Sequence, residues 1–537
     1  MKKHGPVPFR YGNSEIVCIP DRHLSRWDGW CLRSGNNGNS LYQKPLLINR
    51  MLFWLDGFMD PRTPCLIGIA QRTIREQPGP EPLALWEEVA RAAAADARLP
   101  AGRLDSIQLV YSDSWQYDSP VGRLAERLGA APRHRAYSKV GGTAPHLLIG
   151  EAAARIAAGE IDSALVAGAE ALATRRAYRQ AGESVPWSHP AVPKPPYGWE
   201  RPPHPSALAH GLFMPVHTYA IMETARRAAL GLTIEEEMRE RGRMMAPMTE
   251  VAAANPYAWR RTPRTPVELV HGNRFVGWPY TRNTVAVMEV DQAAAVVLAS
   301  SRLADRLGVP AGRRVYLRGW AYAEDTWEVA ARPALGRSEA VGRAAEVAFK
   351  RAELGPDDLH ALDLYSCFAI ALRQACDAVG LDPLDRRGLT VTGGLPYAGG
   401  PASGYVLHST ATMAGLLRTQ AGHGLVTGVG MHLTKHACAV WSSEPGGGLG
   451  EAAPVFVAEE RPIVPVCTGE AVVAGYTVAH GRDGEPERGV LVVDVPSGGR
   501  AYAVVTRDDL LADAESRELV GQVVRVAHDG EVNVATW

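Results

Sequence analysis

Ala154-Arg155-Ile156-Ala157-Ala158-Gly159-Glu160-Ile161-Asp162, followed at once by Ala164-Leu165-Val166-Ala167-Gly168, decides the fold of this chain. The first stretch closes a strongly helical segment, His146 to Ala158. The second is a short apolar run of the kind buried in a sheet. Working outward, the same punctuation recurs. Cys65 to Ala70 and Ile107 to Tyr111 read as strands, and Leu85 to Ala97 and Val121 to Leu128 as helices. Leu85, Val89 and Ala92 fall at i, i+4 and i+7. Further on, Val315 to Gly319, Ala361 to Tyr365 and Gly424 to Gly428 read as strands. Val341 to Arg351, Ala369 to Val379 and Tyr405 to Leu417 read as helices. Two successive rounds of strand–helix alternation predict a duplicated, largely parallel α/β fold.

The halves are expected at 59–285 and 286–445. The first carries a long insertion, 175–285, with a Pro-rich start (Pro186 to Pro205) and two helices, His217 to Leu230 and Thr233 to Arg243. Loops of that length usually cover a functional site. Residues 1–58 hold no sustained periodicity, although Leu46 to Leu55 is apolar, and read as an N-terminal extension foreign to the domain. A Gly/Pro-rich linker, 446–465, precedes 466–537, where the period changes. Ala471 to Val478, Gly489 to Val495, Arg500 to Thr506 and Gln522 to His528 read as short strands, with D-G turns at Asp483-Gly484 and Asp529-Gly530. With a helix from Asp508 to Leu519, this is the pattern of a small β-barrel of OB type.

Composition narrows the function. With 46% hydrophobic residues, 21% charged residues and a formal net charge of −1, the 537-residue chain is an ordinary globular protein. It offers no electrostatic footprint for nucleic acid or an anionic membrane. No apolar run approaches the ~18 residues of a membrane helix. Seven dispersed cysteines, with no C-x-x-C pair and no zinc spacing, suit a reducing cytoplasm and give no metal site.

Several ordered phrases share their wording with one family. These are Ala154 to Asp162 and Ala167-Gly168-Ala169-Glu170-Ala171, then Met288 to Leu298, Gly393-Gly394-Leu395-Pro396-Tyr397 and Leu433-Thr434-Lys435-His436. On them, residues 59–445 resemble the thiolase superfamily, closest to the type-1 thiolase-like proteins and the sterol-carrier-type thiolases. The tail resembles the extra C-terminal domain of the type-1 group. The resemblance implies a layered αβαβα duplicated thiolase fold and a CoA or acyl-CoA ligand, with no other cofactor. It also implies an acetyl-CoA acetyltransferase-like ancestry and a possible homodimer through the edge of the core sheet. Met288 to Leu298 would open the second half.

The chemistry departs from the family at each of its four positions. The nucleophilic cysteine is replaced by Gly142, beside which Thr143 reads as a helix cap. The second motif is Tyr365-Ser366-Cys367-Phe368, the third Gly399-Gly400-Pro401 without its histidine, and the fourth is held by Val429 without its cysteine. Substitute catalytic candidates are Cys367 and His408, each also readable as a packed core residue. Trp259, Arg260, Arg261, Trp278 and Arg282, with Tyr280, are candidates for the adenine ring and phosphates of CoA, or for packing the insertion onto the core. Three readings follow: an acyl-CoA-binding protein without ordinary thiolase activity, a non-catalytic scaffold, or new chemistry on Tyr365, Cys367 or His408.

Overall fold

The computed structural model describes residues 60–449, 455–456 and 459–537, and three short strands within the first 33 residues. Contacts divide the chain into Met1–Pro61 and Arg62–Trp537. In the first unit β1 (Val7–Tyr11), β2 (Ser14–Ile19) and β3 (Trp30–Arg33) form an antiparallel sheet in that order. Strands of four to six residues are too short to register as periodicity. The apolar run Leu46 to Leu55 lies outside the described residues.

The second unit contains two matching sheets. Sheet one comprises β4 (Pro64–Thr73), β5 (Ser106–Leu109), β6 (His134–Tyr137), β7 (Ser163–Ala171) and, beyond a short hairpin of β8 (Phe275–Gly277) and β9 (Tyr280–Thr281), β10 (Asp291–Ser300). Its order is β4-β10-β7-β5-β6. Sheet two comprises β11 (Tyr316–Glu324), β12 (Ala361–Asp363), β13 (His423–Gly430), β14 (Lys435–Ser442) and β15 (Val455–Phe456), in the order β12-β13-β14-β11-β15. Set side by side, β4-β10-β7-β5 and β11-β14-β13-β12 have the same order and the same directions. The second strand of each set runs antiparallel to both neighbours, and the last two are parallel. Both opening strands also bulge one residue before a glycine, at Ile67 and Arg318. There a helix backbone lies against Gly68 and Gly319 too closely for any Cβ.

Two expectations are corrected. The sheets are mixed rather than largely parallel; in sheet two only four residues join β13 to β14, a link too short for a parallel crossover. Met288 to Leu298 does not open the second half. Its strand, β10, is hydrogen-bonded between β4 and β7 and completes sheet one.

Helices α1 (Pro82–Asp96) and α2 (Pro120–Leu128) belong to the first half, with α3 (Ala144–Ala158) next and α4 (Leu172–Ala181) after β7. The insertion supplies α5 (Pro215–Ala229) and α6 (Ile234–Ala254), and the second half α7 (Glu339–Ala352), α8 (Ala369–Val379) and α9 (Tyr405–Leu417). Helices α3 and α9 lie between the sheets: Gly150 of α3 receives the Trp320 indole of β11, while α9 sets Leu407 against Gly168 and Met413 against Gly424. Helices α1 and α7 cover the outer faces, completing the αβαβα layers. No helix among the described residues is long and apolar enough to cross a membrane.

The tail is a closed five-stranded barrel, β16 (Gly469–His480), β17 (Pro486–Asp494), β18 (Arg500–Val505), β19 (Val523–His528) and β20 (Asn533–Thr536), with α10 (Asp508–Ser516) between β18 and β19. It does not stand apart. The β8–β9 hairpin of the insertion joins its sheet beside β16, and Trp278 N–H donates to Val478 O at 2.8 Å. Arg227 of α5 is fully buried against it, donating to Glu518 and to Tyr476 Oη at 2.8 Å each, with its guanidinium 4.9 Å from the Trp278 ring. Removing one partner of such a pair costs about 3 kcal/mol or more. Arg227→Ala should therefore lower stability by about 3 kcal/mol in guanidinium unfolding, with core and barrel melting in one transition. A separate early barrel transition in the wild type would show the two to be independent.

Candidate functional site

The site forms where α3 begins. Gly141 sits in a backbone region open to glycine (φ +139°) and its N–H donates to Ser403 Oγ at 2.9 Å, tying the loop to the turn before α9. Thr143 does not cap the helix as expected. Its own backbone is already helical (φ −86°, ψ −11°), so its hydroxyl is not aimed at the free N–H groups of the first turn.

Gly142 meets two of the other family positions directly. A Cβ built on it would fall 2.6 Å from Tyr365 Cζ and closer still to the Tyr365 hydroxyl and the Val429 carbonyl oxygen. The phenol therefore fills the space a nucleophile would need, and Val429 contributes its backbone rather than a side chain. Tyr365 is held there by its N–H, which donates to Thr427 Oγ1 at 2.8 Å, and by an edge-on contact with Tyr405. Burial, then Cys367, holds its pKa well above the ordinary tyrosine value.

The remaining positions join through neighbours. Ser366 Oγ accepts from Leu395 N–H at 3.0 Å, and Cys367 O from Ala286 N–H at 3.0 Å. Gly400 donates its N–H to Val287 O at 2.9 Å, and a Cβ there would meet only ordinary neighbours 3.4–3.5 Å away. A side chain is thus sterically possible at 400 and impossible at 142. Burial pushes the Cys367 thiol up to about 12, so it is no thiolate at neutral pH. His408 is placed on the β4 side, its Nδ1 paired with Gln71 Oε1 at 2.9 Å, and burial holds its pKa down to about 4.

Residues 455–531 match the model of the thiolase-like protein type 1 additional C-terminal domain. The crystal structure of a monomeric SCP2-thiolase-like protein type 1 from Mycobacterium smegmatis is 29% identical and covers 89% of this chain and 100% of its own, with a TM-score of 0.75. The tail thus matches the additional domain of type-1 thiolase-like proteins, and the chain as a whole is similar to one of them. Human mitochondrial 3-ketoacyl-CoA thiolase in complex with CoA (13% identity, 72% and 99% coverage, TM-score 0.53) shares the fold. So does the Ltp2-ChsH2(DUF35) aldolase (18%, 71% and 98%, 0.55). No curated protein matches the sequence.

The expected CoA residues scatter. Trp278 is corrected outright: it is 2% exposed, stacked on Tyr476 at 5.3 Å, and forms part of the barrel core. The hairpin that carries it inserts it there, and no ring face is left for adenine. Tyr280 is likewise fully buried, its hydroxyl donating to Glu223 at 2.6 Å. Trp259 and Arg260, both half-buried, donate their N–H groups to Ala398 O and Tyr397 O at 2.8 Å, along the Gly393–Pro401 loop. Arg261 is exposed and binds Ala253 O near the end of α6; Arg282, also exposed, lines an open cavity with other arginines.

Three neighbours of the site were not among the sequence candidates. Tyr219 comes from α5; its ring packs on Phe368 at 4.4 Å, and its hydroxyl donates to Met431 O and accepts from Leu433 N–H. His146, in the first turn of α3, places Nε2 3.2 Å from Val426 O. Lys435 pairs with Glu200 on the wall of a cavity of about 680 Å³ that begins at Thr143. No group of His, Cys, Asp and Glu among the described residues could hold a metal.

Two outcomes follow. Gly142→Ala should destabilise by about 3 kcal/mol through overpacking; adding Tyr365→Ala should recover only part of that, because the Val429 carbonyl still obstructs. Denaturant midpoints of the two single variants and the double variant measure it. Burial depresses His146, His217, His408, His432 and His436 to about 4. Their neutral forms stabilise the fold fully above the unfolded value of about 6.5. That contribution falls as pH drops from there toward 4, where the unfolded state binds more protons. The thermal midpoint should decline steeply over that window, and a flat profile would contradict the burial of these rings.

Proposed function

We propose that this protein binds CoA or an acyl-CoA thioester and carries out neither thiolysis nor Claisen condensation through an acyl-enzyme. The observation that carries this reading is the filled space at Gly142, where the Tyr365 phenol and the Val429 carbonyl stand in place of a nucleophilic side chain. Without a thiolate, no thioester forms on the protein, and without an imidazole at Gly400 no base activates a substitute. Loss of both removes the covalent route itself. The ligand class is supported by the scaffold: a thiolase of the same fold holds CoA in its crystal structure. The first-turn N–H groups of α3 remain suited to a carbonyl oxygen.

A second reading is favoured by the placement of the Tyr365 hydroxyl. Its raised pKa keeps it protonated at neutral pH, which makes it a hydrogen-bond donor to a substrate carbonyl rather than a base. Titration calorimetry with CoA and acetyl-CoA should give saturable heat, while acetoacetyl-CoA is cleaved no faster than in buffer. Mass mapping after treatment with a reactive acyl analogue should find no acylated cysteine. No heat with any thioester would leave a scaffold role instead, and rapid turnover would overturn the proposal. Substrate-dependent chemistry lost in Tyr365→Phe would establish the second reading.

A further inference from the structure

A cavity of about 380 Å³ lies where the first half meets the barrel, and five arginines line it: Arg176 and Arg179 of α4, Arg274 and Arg282 of the hairpin, and Arg482 of the β16–β17 turn. One carboxylate, Glu289, faces them. It is already engaged by Arg176 and, at 3.8 Å, by Arg179. No carboxylate among the described residues pairs with Arg274, Arg282 or Arg482.

The arrangement is built rather than incidental. Arg282 N–H donates to Arg274 O at 3.0 Å, so the two stand across from each other at the base of the hairpin. Like charges opposed in this way destabilise a hairpin unless an anion lies between them. Arg274 is fixed further by donating to Gly481 O at 3.0 Å, which places it beside the turn bearing Arg482. More positive charge stands behind. Burial, then Arg282 and Arg264, draws the Arg260 pKa below its ordinary value. Planar guanidinium forks facing one space match phosphate oxygens in pairs.

We propose that this cavity binds a multiply charged phosphate group, a diphosphate or diphosphate ester, through Arg274, Arg282 and Arg482. Two sources share that chemistry: a free diphosphate or nucleotide, and the phosphorylated end of CoA. The CoA source rests on the acyl-CoA reading above; the free-anion source does not. Val287, which accepts from Gly400, lies five positions after Arg282, so at most about 18 Å of chain joins the cavity to the Gly400 loop. The barrel thereby becomes part of the ligand site, because Arg482 comes from it.

The test is titration calorimetry of the full-length protein with inorganic diphosphate, adenosine 3′,5′-bisphosphate, CoA and dephospho-CoA. It compares wild type with Arg282→Ala, Arg482→Ala and, as a charge control on a distant exposed helix, Arg343→Ala. Thermal midpoints confirm that each variant folds; Arg282 and Arg482 are exposed, so truncation leaves no buried partner. Arg282→Ala and Arg482→Ala should each weaken phosphate binding roughly tenfold to a hundredfold, and Arg343→Ala should not. Wild-type affinity should fall with added salt. Heat with diphosphate but none with CoA supports the site with a free anion as its ligand and sinks the acyl-CoA reading. CoA binding that weakens in both variants, with no heat from diphosphate alone, supports it with the carrier as ligand. CoA binding unchanged in both variants overturns this inference and leaves the acyl-CoA reading standing. No heat with any of the four ligands overturns both.

Discussion

The backbone at Gly142 has to pass beneath a tyrosine hydroxyl and a strand carbonyl, and only a residue without a side chain can do so. That constraint joins the halves. Gly142 opens α3 in the first half, while Tyr365 and Val429 end strands of the second half. At this point the two halves meet in van der Waals contact. Any side chain at 142 would therefore mean moving Tyr365 and also the end of β13. The bare backbone at 142 and the position of the phenol are one structural fact, and neither can change alone.

Much of the fold was legible because its signals are local. Helices α8 and α9 begin and end at the residues that periodicity and flanking glycines indicate, and the barrel strands follow their turn signals. What was missed is non-local. Strand β14 is buried at all eight residues, so it shows no alternation, and Lys435 and His436 at its start disguise it as a loop. The membership of β10 in sheet one depends on pairing across the insertion, which no local pattern encodes. The site shows the same division. The positions Gly142, Tyr365 and Val429 were readable from motif register, but their mutual contact was not. Trp278 was left open between ligand and packing because an aromatic residue among arginines, in a segment without periodicity, looks the same whether it serves a ligand or a core.

The barrel also changes meaning once its packing is seen. An appended domain on a flexible linker would leave its own surface wet and its neighbour's surface complete. Here the neighbour lends a hairpin to the barrel's sheet, and α5 buries a cation against Trp278 and Tyr476. Tyr476 N–H donates to Thr224 Oγ1 at 3.0 Å, and Thr224 Oγ1 donates back to Tyr476 O at 2.9 Å. Backbone groups satisfied by a foreign helix are costly to expose. The barrel and the insertion thus behave as one body.

The same logic fixes the insertion over the site. Glu223 of α5, Glu237 and Arg241 of α6 and Arg373 of α8 form a fully enclosed quartet of two acids and two bases, with Tyr280 donating to Glu223. Such clusters add little net stability over apolar packing, but breaking one partner leaves a bare buried charge. Their effect is on geometry: only one register of α5 and α6 on α8 pairs all four. Helix α8 follows directly from Tyr365-Ser366-Cys367-Phe368, and α5 carries Tyr219 onto Phe368. Holding the quartet in register therefore holds Tyr219 against the second motif. The insertion expected to cover a functional site is thus anchored by charges enclosed within the protein.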